Sequence, residues 1–124
     1  MKKKDFVILV DDSDIDNFIS QKFLELFGVN HIMVFNKPCE ALDYLRTTTN
    51  KPSLMFIDIY MPMMNGDEFI DEFRKLKISK YSTDIYFISV TINPEDKDMA
   101  KKKGVGFIDK PLTNEKLITL FENI

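Results

Sequence analysis

The chain has 124 residues, of which 44% are hydrophobic and 30% are charged, the balance of one folded domain rather than of a disordered segment. Its formal net charge of −3 is too small to indicate binding to nucleic acid or to a membrane surface. No apolar run is long enough for a transmembrane helix or a signal peptide. The single cysteine, Cys39, excludes an internal disulfide bond and favours a reducing compartment. We therefore expect a cytoplasmic protein without nucleic-acid or membrane partners.

Short apolar segments alternate with segments of helical period along the whole chain. Strands are predicted over residues 5–10, 32–35, 53–57, 85–88 and 105–109. Helices are predicted between them, over residues 13–27, 38–46, 65–76 and 93–103, and again after residue 111. Strict alternation of this kind favours a parallel sheet covered by helices on both faces. Five such units suit a doubly wound α/β domain with the strand order 2-1-3-4-5, and we expect that architecture.

The first helix carries clear signals at both ends. Ser13 and Asp16 stand at the spacing of a capping box, with aspartate in place of glutamate, and Gly28 stands where the helix should end. Within the helix, apolar residues recur at helical spacing: Ile15, Phe18, Ile19, Phe23, Leu26 and Phe27. This spacing is typical of an amphipathic helix that packs one face on the core.

Three of the predicted strands run directly into charged residues. The first ends in Asp11 and Asp12, the third ends in Asp58, and the fifth leads to Lys110. If the strands are parallel, their carboxyl ends place three carboxylates and one ammonium around a single crevice. Open α/β sheets bind ligands at this edge, and the switch point of the expected strand order lies between strands one and three.

Such a cluster suits phosphoryl chemistry. Carboxylates this close repel one another unless a cation compensates, and Mg²⁺ is the natural candidate because it prefers hard oxygen ligands. A carboxylate can also accept a phosphoryl group, whose charge a metal ion and a lysine would stabilise. One aspartate as acceptor, two as metal ligands and Lys110 as counter-charge would complete the site. The only histidine, His31, is predicted at the opposite end of the sheet, so we expect self-phosphorylation and not an enzyme that turns over a soluble substrate.

Four motifs together carry a resemblance to a known family. They are the acidic pair Asp11-Asp12, the segment from Ile57 to Gly66, the hydroxyl residue Ser89 at the end of strand four, and Lys110-Pro111. In this order and at this spacing they resemble the receiver domain of two-component response regulators. The resemblance covers the whole chain and implies a flavodoxin-like fold. Because the last predicted helix ends at the C-terminus, we expect a stand-alone, CheY-like receiver domain over residues 1–124 with no output domain.

The resemblance assigns a role to each residue of the expected crevice. Asp58 would accept the phosphoryl group, which a partner histidine kinase or phosphotransfer protein would supply from phosphohistidine. Asp12 would bind Mg²⁺ directly, Asp11 would act as a second ligand or through water, and the backbone carbonyl of Tyr60 would complete the protein ligands. Lys110 would pair with Asp58 at rest and with the phosphoryl group afterwards.

The resemblance also implies a conformational switch. After phosphorylation, Ser89 would move to hydrogen-bond a phosphoryl oxygen, and Phe107 would turn inward with it. These movements would reshape the surface of helix four, strand five and helix five, to which a downstream protein effector would bind. The family often holds the Lys-Pro peptide bond in the cis form, and we expect the same at Lys110-Pro111.

Some positions depart from the family's usual pattern. Ser89 stands where threonine is commoner, Phe107 stands where tyrosine is usual, and the bulky Val90 could restrict access to the phosphoryl group. Thr91 lies close to Ser89, but we favour Ser89 because it directly follows the apolar run of strand four. Tyr60 and Thr91 flank the site, so we expect them to tune the lifetime of the phosphoryl group.

Other functions fit parts of the pattern. A flavin-binding electron carrier shares the architecture, but the acidic segment over residues 11–14 would repel the FMN phosphate. A phosphatase of the haloacid dehalogenase type would carry a second aspartate where this chain has Tyr60. A phosphate-independent interaction module is a further alternative, which Val90 keeps open. Among receiver functions, the sequence does not choose between an effector, a relay and a phosphate sink.

Overall fold

The computed structural model of the chain describes residues 5–90 and 93–122. Its strands are β1 (Val7–Val10), β2 (Ile32–Phe35), β3 (Leu54–Asp58), β4 (Asp84–Ser89) and β5 (Gly106–Asp109). Its α-helices are α1 (Asp14–Phe27), α2 (Pro38–Thr47), α3 (Gly66–Phe73), α4 (Pro94–Lys103) and α5 (Asn114–Glu122). The strands form one parallel sheet in the order β2-β1-β3-β4-β5. The predicted flavodoxin-like α/β class and strand order are confirmed.

Two interior strands of the sheet, β1 and β3, are buried on both faces. Every residue of β1 and β3 is buried, because helices cover the sheet on each side. Successive side chains of a strand point to opposite faces. The apolar residues accordingly divide between two clusters: Ile8, Val10, Met55 and Ile57 in one, and Val7, Leu9, Leu54 and Phe56 in the other. Since Val10 and Ile57 are partners in the ladder, the residues that follow them emerge side by side at the carboxyl edge.

Helix α1 has the predicted ends but not the predicted inward face. Ser13 caps its start, and Gly28 ends it in the left-handed region with a φ of 105°. Four of the apolar side chains that recur at helical spacing are exposed, namely Ile15, Phe18, Ile19 and Leu26. The residues that α1 buries are Asn17, Ser20 and Leu24. At about 3.6 residues per turn, these three positions lie on the opposite side of the helix from Ile15, Ile19 and Leu26.

The other helices follow the prediction with small shifts. Asn65 and Glu68 form a complete capping box at the start of α3, which ends at Phe73, so Leu76 lies beyond the helix. A short 3-10 helix over Lys77–Lys80, which was not predicted, leads from α3 towards β4. Asn93 caps α4 as expected by accepting hydrogen bonds from two backbone N–H groups of its first turn. Within the described ranges, no helix is long and apolar enough to cross a membrane.

Candidate functional site

The carboxyl ends of β1 and β3 bring three carboxylates together, as the sequence predicts. Asp11 and Asp58 are buried, with 1% and 6% of their surface exposed, whereas Asp12 is exposed. One carboxylate oxygen of each residue lies within 4.8 Å of the others. The three acids therefore line one crevice of about 410 Å³, to which Lys110 also contributes.

Hydrogen bonds on either side fix the position of Asp11. Its backbone N–H donates to the carbonyl of Phe35 at 3.1 Å, which continues the pairing of β1 with β2. Its carbonyl accepts from the side-chain amide of Asn17 at 2.7 Å. Its carboxylate accepts from the backbone N–H of Ser13 at 3.0 Å. Asn17 was not predicted as a site residue, because α1 carries several polar residues and the sequence does not show which of them is buried.

The loop after Asp58 is held against the end of β4 and the start of α3. The backbone N–H of Ile59 donates to the carbonyl of Ile88 at 3.2 Å, and the N–H of Gly66 donates to the carbonyl of Ile59 at 2.8 Å. A Cβ atom at Gly66 would lie 2.9 Å from the carbonyl oxygen of Asp58. Only glycine permits this close approach, so Gly66 helps to set the position of the Asp58 backbone.

Lys110 reaches into the crevice from the residue directly after β5. Its backbone N–H donates to the carbonyl of Ser89 at 2.8 Å, and the Lys110–Pro111 peptide bond is cis, as expected. The Lys110 side chain is only 8% exposed. Its Nζ lies 2.6 Å from an oxygen of Asp11, 2.9 Å from Asp16 and 3.4 Å from Asp58. The expected pairing with Asp58 is therefore the longest of three, and the contact with Asp16 was not predicted.

The charges in the crevice shift one another's protonation. Burial, reinforced by the nearby Asp11 carboxylate, raises the pKa of Asp58 to about 7, although Lys110 opposes this shift. Burial likewise raises the pKa of Asp11. Burial would lower the pKa of Lys110, but hydrogen bonds to Asp11 and Asp16 outweigh it and raise that pKa. The lysine consequently stays charged, while Asp58 mostly carries a proton below neutral pH until a cation replaces that proton.

Some of the remaining predicted residues line the crevice and others do not. Ser89 is buried at the end of β4 and lines the crevice together with Tyr60 and the exposed Val90. Phe107 is half-buried on β5 and does not line the crevice. It borders a separate cavity of about 520 Å³ beside α5. Thr91, the alternative hydroxyl residue, lies outside the described residues.

Tyr60 makes a contact that was not predicted. Its hydroxyl donates a hydrogen bond of 2.6 Å to a carboxylate oxygen of Asp96, which is buried in the first turn of α4. The loop that follows Asp58 is thus tied through a side chain to α4.

The donor set of the crevice fits a hard divalent cation. Three carboxylates converge, two of them buried, and burial raises the pKa of both buried groups. Oxygen ligands of this kind suit Mg²⁺. A cation held by Asp11, Asp12 and Asp58 would replace the proton on Asp58 and leave its carboxylate able to act as a nucleophile.

Comparison with known proteins decides the family. The family model described as "Response regulator receiver domain" matches residues 7–122. The chain belongs to this family. The receiver domain is 33% identical to an uncharacterised protein of Buchnera aphidicola over 99% of this chain, and it spans 62% of that protein. It is 30% identical to two-component response regulator 24 of Arabidopsis thaliana, over 94% of this chain and 81% of that protein.

Solved structures agree with this assignment. A two-component response regulator from Cytophaga hutchinsonii superimposes with a TM-score of 0.85 at 30% identity, covering 96% of this chain and 95% of that one. The chemotaxis protein CheY4 of Vibrio cholerae gives a TM-score of 0.79 at 27% identity, covering 97% and 98% of the two chains. The chain is therefore a CheY-like receiver domain of two-component signal transduction, a family of signalling switches in which phosphorylation and magnesium are general features.

Proposed function

We propose that this receiver domain accepts a phosphoryl group on Asp58 from the phosphohistidine of a histidine kinase or phosphotransfer protein. The observation that carries the proposal is the buried Asp58 carboxylate, which lies among two further carboxylates and the Lys110 ammonium. A carboxylate oxygen of Asp58 forms the new bond to phosphorus as the bond from phosphorus to the donor imidazole nitrogen breaks. The electron pair of the broken bond stays on that nitrogen.

The residues around Asp58 have distinct roles in the proposal. Mg²⁺ held by Asp11, Asp12, Asp58 and the backbone carbonyl of Tyr60 would neutralise the carboxylates and the charge on the phosphoryl oxygens. Lys110 supplies a fixed positive charge, because its pKa is raised and its side chain is buried beside the acceptor. The protein needs no general base, since the nucleophile is already a carboxylate once Asp58 is deprotonated.

The proposed output is a change of surface. Ser89, buried at the crevice wall, would hydrogen-bond a phosphoryl oxygen, and the half-buried Phe107 would follow it inward. The surface formed by α4, β5 and α5 would then bind a downstream protein, or the phosphoryl group would pass to another protein. The chain would act as a cytoplasmic switch that assists its own phosphorylation, not as an enzyme with an external substrate.

One alternative has a specific observation in its favour. Val90 lines the crevice with 69% of its surface exposed, so a bulky residue lies at the solvent-facing side of the crevice. A receiver-like module that binds partners without phosphate would tolerate this obstruction. Under the proposed function, Val90 narrows access but does not block it.

Intact-mass measurement after incubation with acetyl phosphate tests the proposal. We expect the wild type to gain one phosphoryl group only when Mg²⁺ is present. Asp58→Asn should gain none. Asp109→Asn is the matched control, because Asp109 also ends a strand but pairs with Lys116 at 3.2 Å, away from the crevice. A wild type that gains no phosphoryl group under these conditions, or an Asp58→Asn variant that gains one, would contradict the proposal.

A further inference from the structure

Asp16 contacts the lysine of the phosphoacceptor crevice, although neither the motif pattern nor the metal cluster includes it. Its carboxylate oxygen accepts from the Lys110 Nζ at 2.9 Å, which is closer than the 3.4 Å between Lys110 and Asp58. The Asp16 side chain is 31% exposed, while that of Lys110 is 8% exposed. Asp16 therefore lies at the rim of the crevice and binds the Lys110 ammonium, which lies inside the crevice.

The start of α1 frees the Asp16 carboxylate for this contact. The Ser13 hydroxyl accepts from the backbone N–H of Asp16 at 3.2 Å, which is half of a capping box. The reciprocal half is not formed, because the backbone N–H of Ser13 donates to Asp11 at 3.0 Å instead. The Asp16 side chain therefore turns to Lys110 rather than back to the helix cap.

A general role at the helix N-terminus does not account for this orientation. Asp14 lies in the same first turn and has the same charge, yet it is exposed and accepts from the Asn36 side chain at 3.1 Å. Either carboxylate would complement the positive end of the helix dipole. Of these two first-turn acids, only Asp16 contacts Lys110, so Asp14 serves as an internal control.

Two close acceptors hold the lysine ammonium on the side of the crevice away from Asp58. Its three N–H groups have their two closest acceptors in Asp11 and Asp16, and Asp58 is beyond the usual N–H···O range. Asp11 belongs to the candidate metal cluster, whereas Asp16 does not. Asp16 would consequently keep its contact with Lys110 when a cation engages the other acids, and moving the ammonium closer to a phosphoryl group on Asp58 would strain that contact.

We propose that Asp16 is a positioning residue that holds the Lys110 ammonium on the α1 side of the crevice and thereby weakens the phosphoryl-bound state. The inference rests on the proposed function of Asp58 and adds a residue that regulates it. Loss of the Asp16 charge releases the ammonium towards Asp58. The phosphorylated form then gains stability, and its lifetime increases.

Binding of beryllofluoride, an analogue of the phosphoryl group, measures this competition directly. In the presence of Mg²⁺, we expect Asp16→Asn to bind beryllofluoride about threefold to tenfold more tightly than the wild type, as expected for release of a partly exposed charged hydrogen bond. Asp14→Asn removes the same charge from the same turn, and we expect less than about a twofold change because exposed charges are screened. In a Lys110→Met background, Asp16→Asn should have no larger effect than Asp14→Asn.

A structural measurement accompanies the binding data. The ¹H–¹⁵N signal of the Lys110 ammonium, recorded without Mg²⁺ or beryllofluoride, should shift in Asp16→Asn and stay in place in Asp14→Asn. Asp16→Ser, which also lacks the charge, replaces Asp16→Asn if the latter does not fold.

The outcomes separate this inference from the proposed function. If Asp16→Asn and Asp14→Asn increased the affinity for beryllofluoride equally, the change in net charge alone would explain the effect. This result would overturn the role of Asp16. Weaker binding by Asp16→Asn, tightening that persists without Lys110, or an unmoved ammonium signal would overturn it as well. A wild type that binds no beryllofluoride would contradict the proposed function itself.

Discussion

At the scale of single residues, charge balance in the crevice governs both stability and reactivity. Asp58 is the acid whose protonation is most displaced, because burial and Asp11 act against its charged form while Lys110 compensates only in part. In its crevice, Asp58 is therefore most stable when it carries a proton, whereas the proposed phosphoryl acceptor reacts only as a carboxylate. This conflict gives a direct prediction for the metal-free protein.

We expect the free energy of unfolding to fall as the pH rises from about 4 to about 7 without Mg²⁺. The pKa of Asp58 is raised from 3.8 to about 7 in the folded state, so the folded protein binds the proton more tightly than the unfolded chain. The resulting stabilisation is complete below the unfolded pKa and is lost as the pH passes through the folded pKa. Urea denaturation at a series of pH values in a chelating buffer measures this dependence.

The Asp58→Asn variant is the control for the pH prediction. It should show a flatter profile between these pH values, although Asp11, whose pKa is also raised, leaves a residual slope of the same sign. Addition of Mg²⁺ should restore stability at the upper end of the range in the wild type, because the cation replaces the proton. A wild type and a variant with the same slope would mean that Asp58 is not the perturbed group.

At the scale of secondary-structure elements, helix α1 has one face buried against the sheet and an opposite face of exposed apolar side chains. Leu24 is fully buried against the sheet, whereas Phe18 is 61% exposed and has the Lys22 ammonium 5.3 Å from its ring centre. We expect Leu24→Ala to cost about 2 to 5 kcal/mol of stability, because it leaves a cavity. Phe18→Ala should cost less than about 1 kcal/mol, because its ring is already in water. Chemical denaturation of both variants measures these two losses of stability. If α1 instead packed its Phe18 face on the sheet, Phe18→Ala would cost more stability than Leu24→Ala.

The hydrogen bond between Tyr60 and Asp96 joins two elements that the sequence places far apart. Removing the hydroxyl with Tyr60→Phe should cost less than about 1 kcal/mol, since the tyrosine is exposed, but it should loosen the first turn of α4. We expect faster amide hydrogen exchange in that turn and a changed dephosphorylation rate. Tyr81→Phe, at a similarly exposed tyrosine whose hydroxyl has no partner among the described residues, should change neither. Unaltered exchange in α4 would show that the bond does not restrain the helix.

At the scale of the whole molecule, the proposed switch connects the crevice to a distant surface. Addition of Mg²⁺ and beryllofluoride should shift the backbone amide signals of β5 and α4 in addition to those around Asp58. Amide signals of α2, which packs mainly against α3 and β2 and not against the elements of the proposed output surface, should move least. In Ser89→Ala, the shifts near Asp58 should persist while those at Phe107 diminish. Shifts confined to the crevice in the wild type would contradict the transmission through Ser89 and Phe107.

The sequence predicted the architecture well because the signals for it are local and repeated. Alternation of apolar runs with capped helical segments predicted the parallel sheet and its strand order. The charged residues that follow the strands predicted the crevice residues Asp11, Asp12, Asp58 and Lys110. It could not predict Asp16, because a first-turn aspartate is ordinarily explained by helix capping and the helix dipole. Only the three-dimensional position of Lys110, which follows a strand at the other end of the chain, gives that residue its partner.

The inward face of α1 was beyond the sequence for a different reason. Its exposed apolar residues outnumber its buried ones, so periodicity alone points to the wrong side. The buried side carries Asn17 and Ser20, and the side-chain amide of Asn17 donates to the Asp11 carbonyl at 2.7 Å. A polar contact with the end of β1 therefore occupies a position where periodicity leads one to expect an apolar residue.

Locating the phosphoryl group within the chain tests the central claim most directly. Protein incubated with acetyl phosphate and Mg²⁺ is treated with borohydride, which reduces an aspartyl phosphate to homoserine, and its peptides are sequenced by mass spectrometry. We predict homoserine at position 58 alone, and none when Mg²⁺ or acetyl phosphate is omitted. Homoserine at another aspartate, or its absence from a chain that has gained a phosphoryl group, would contradict the assignment of Asp58 as the phosphoacceptor.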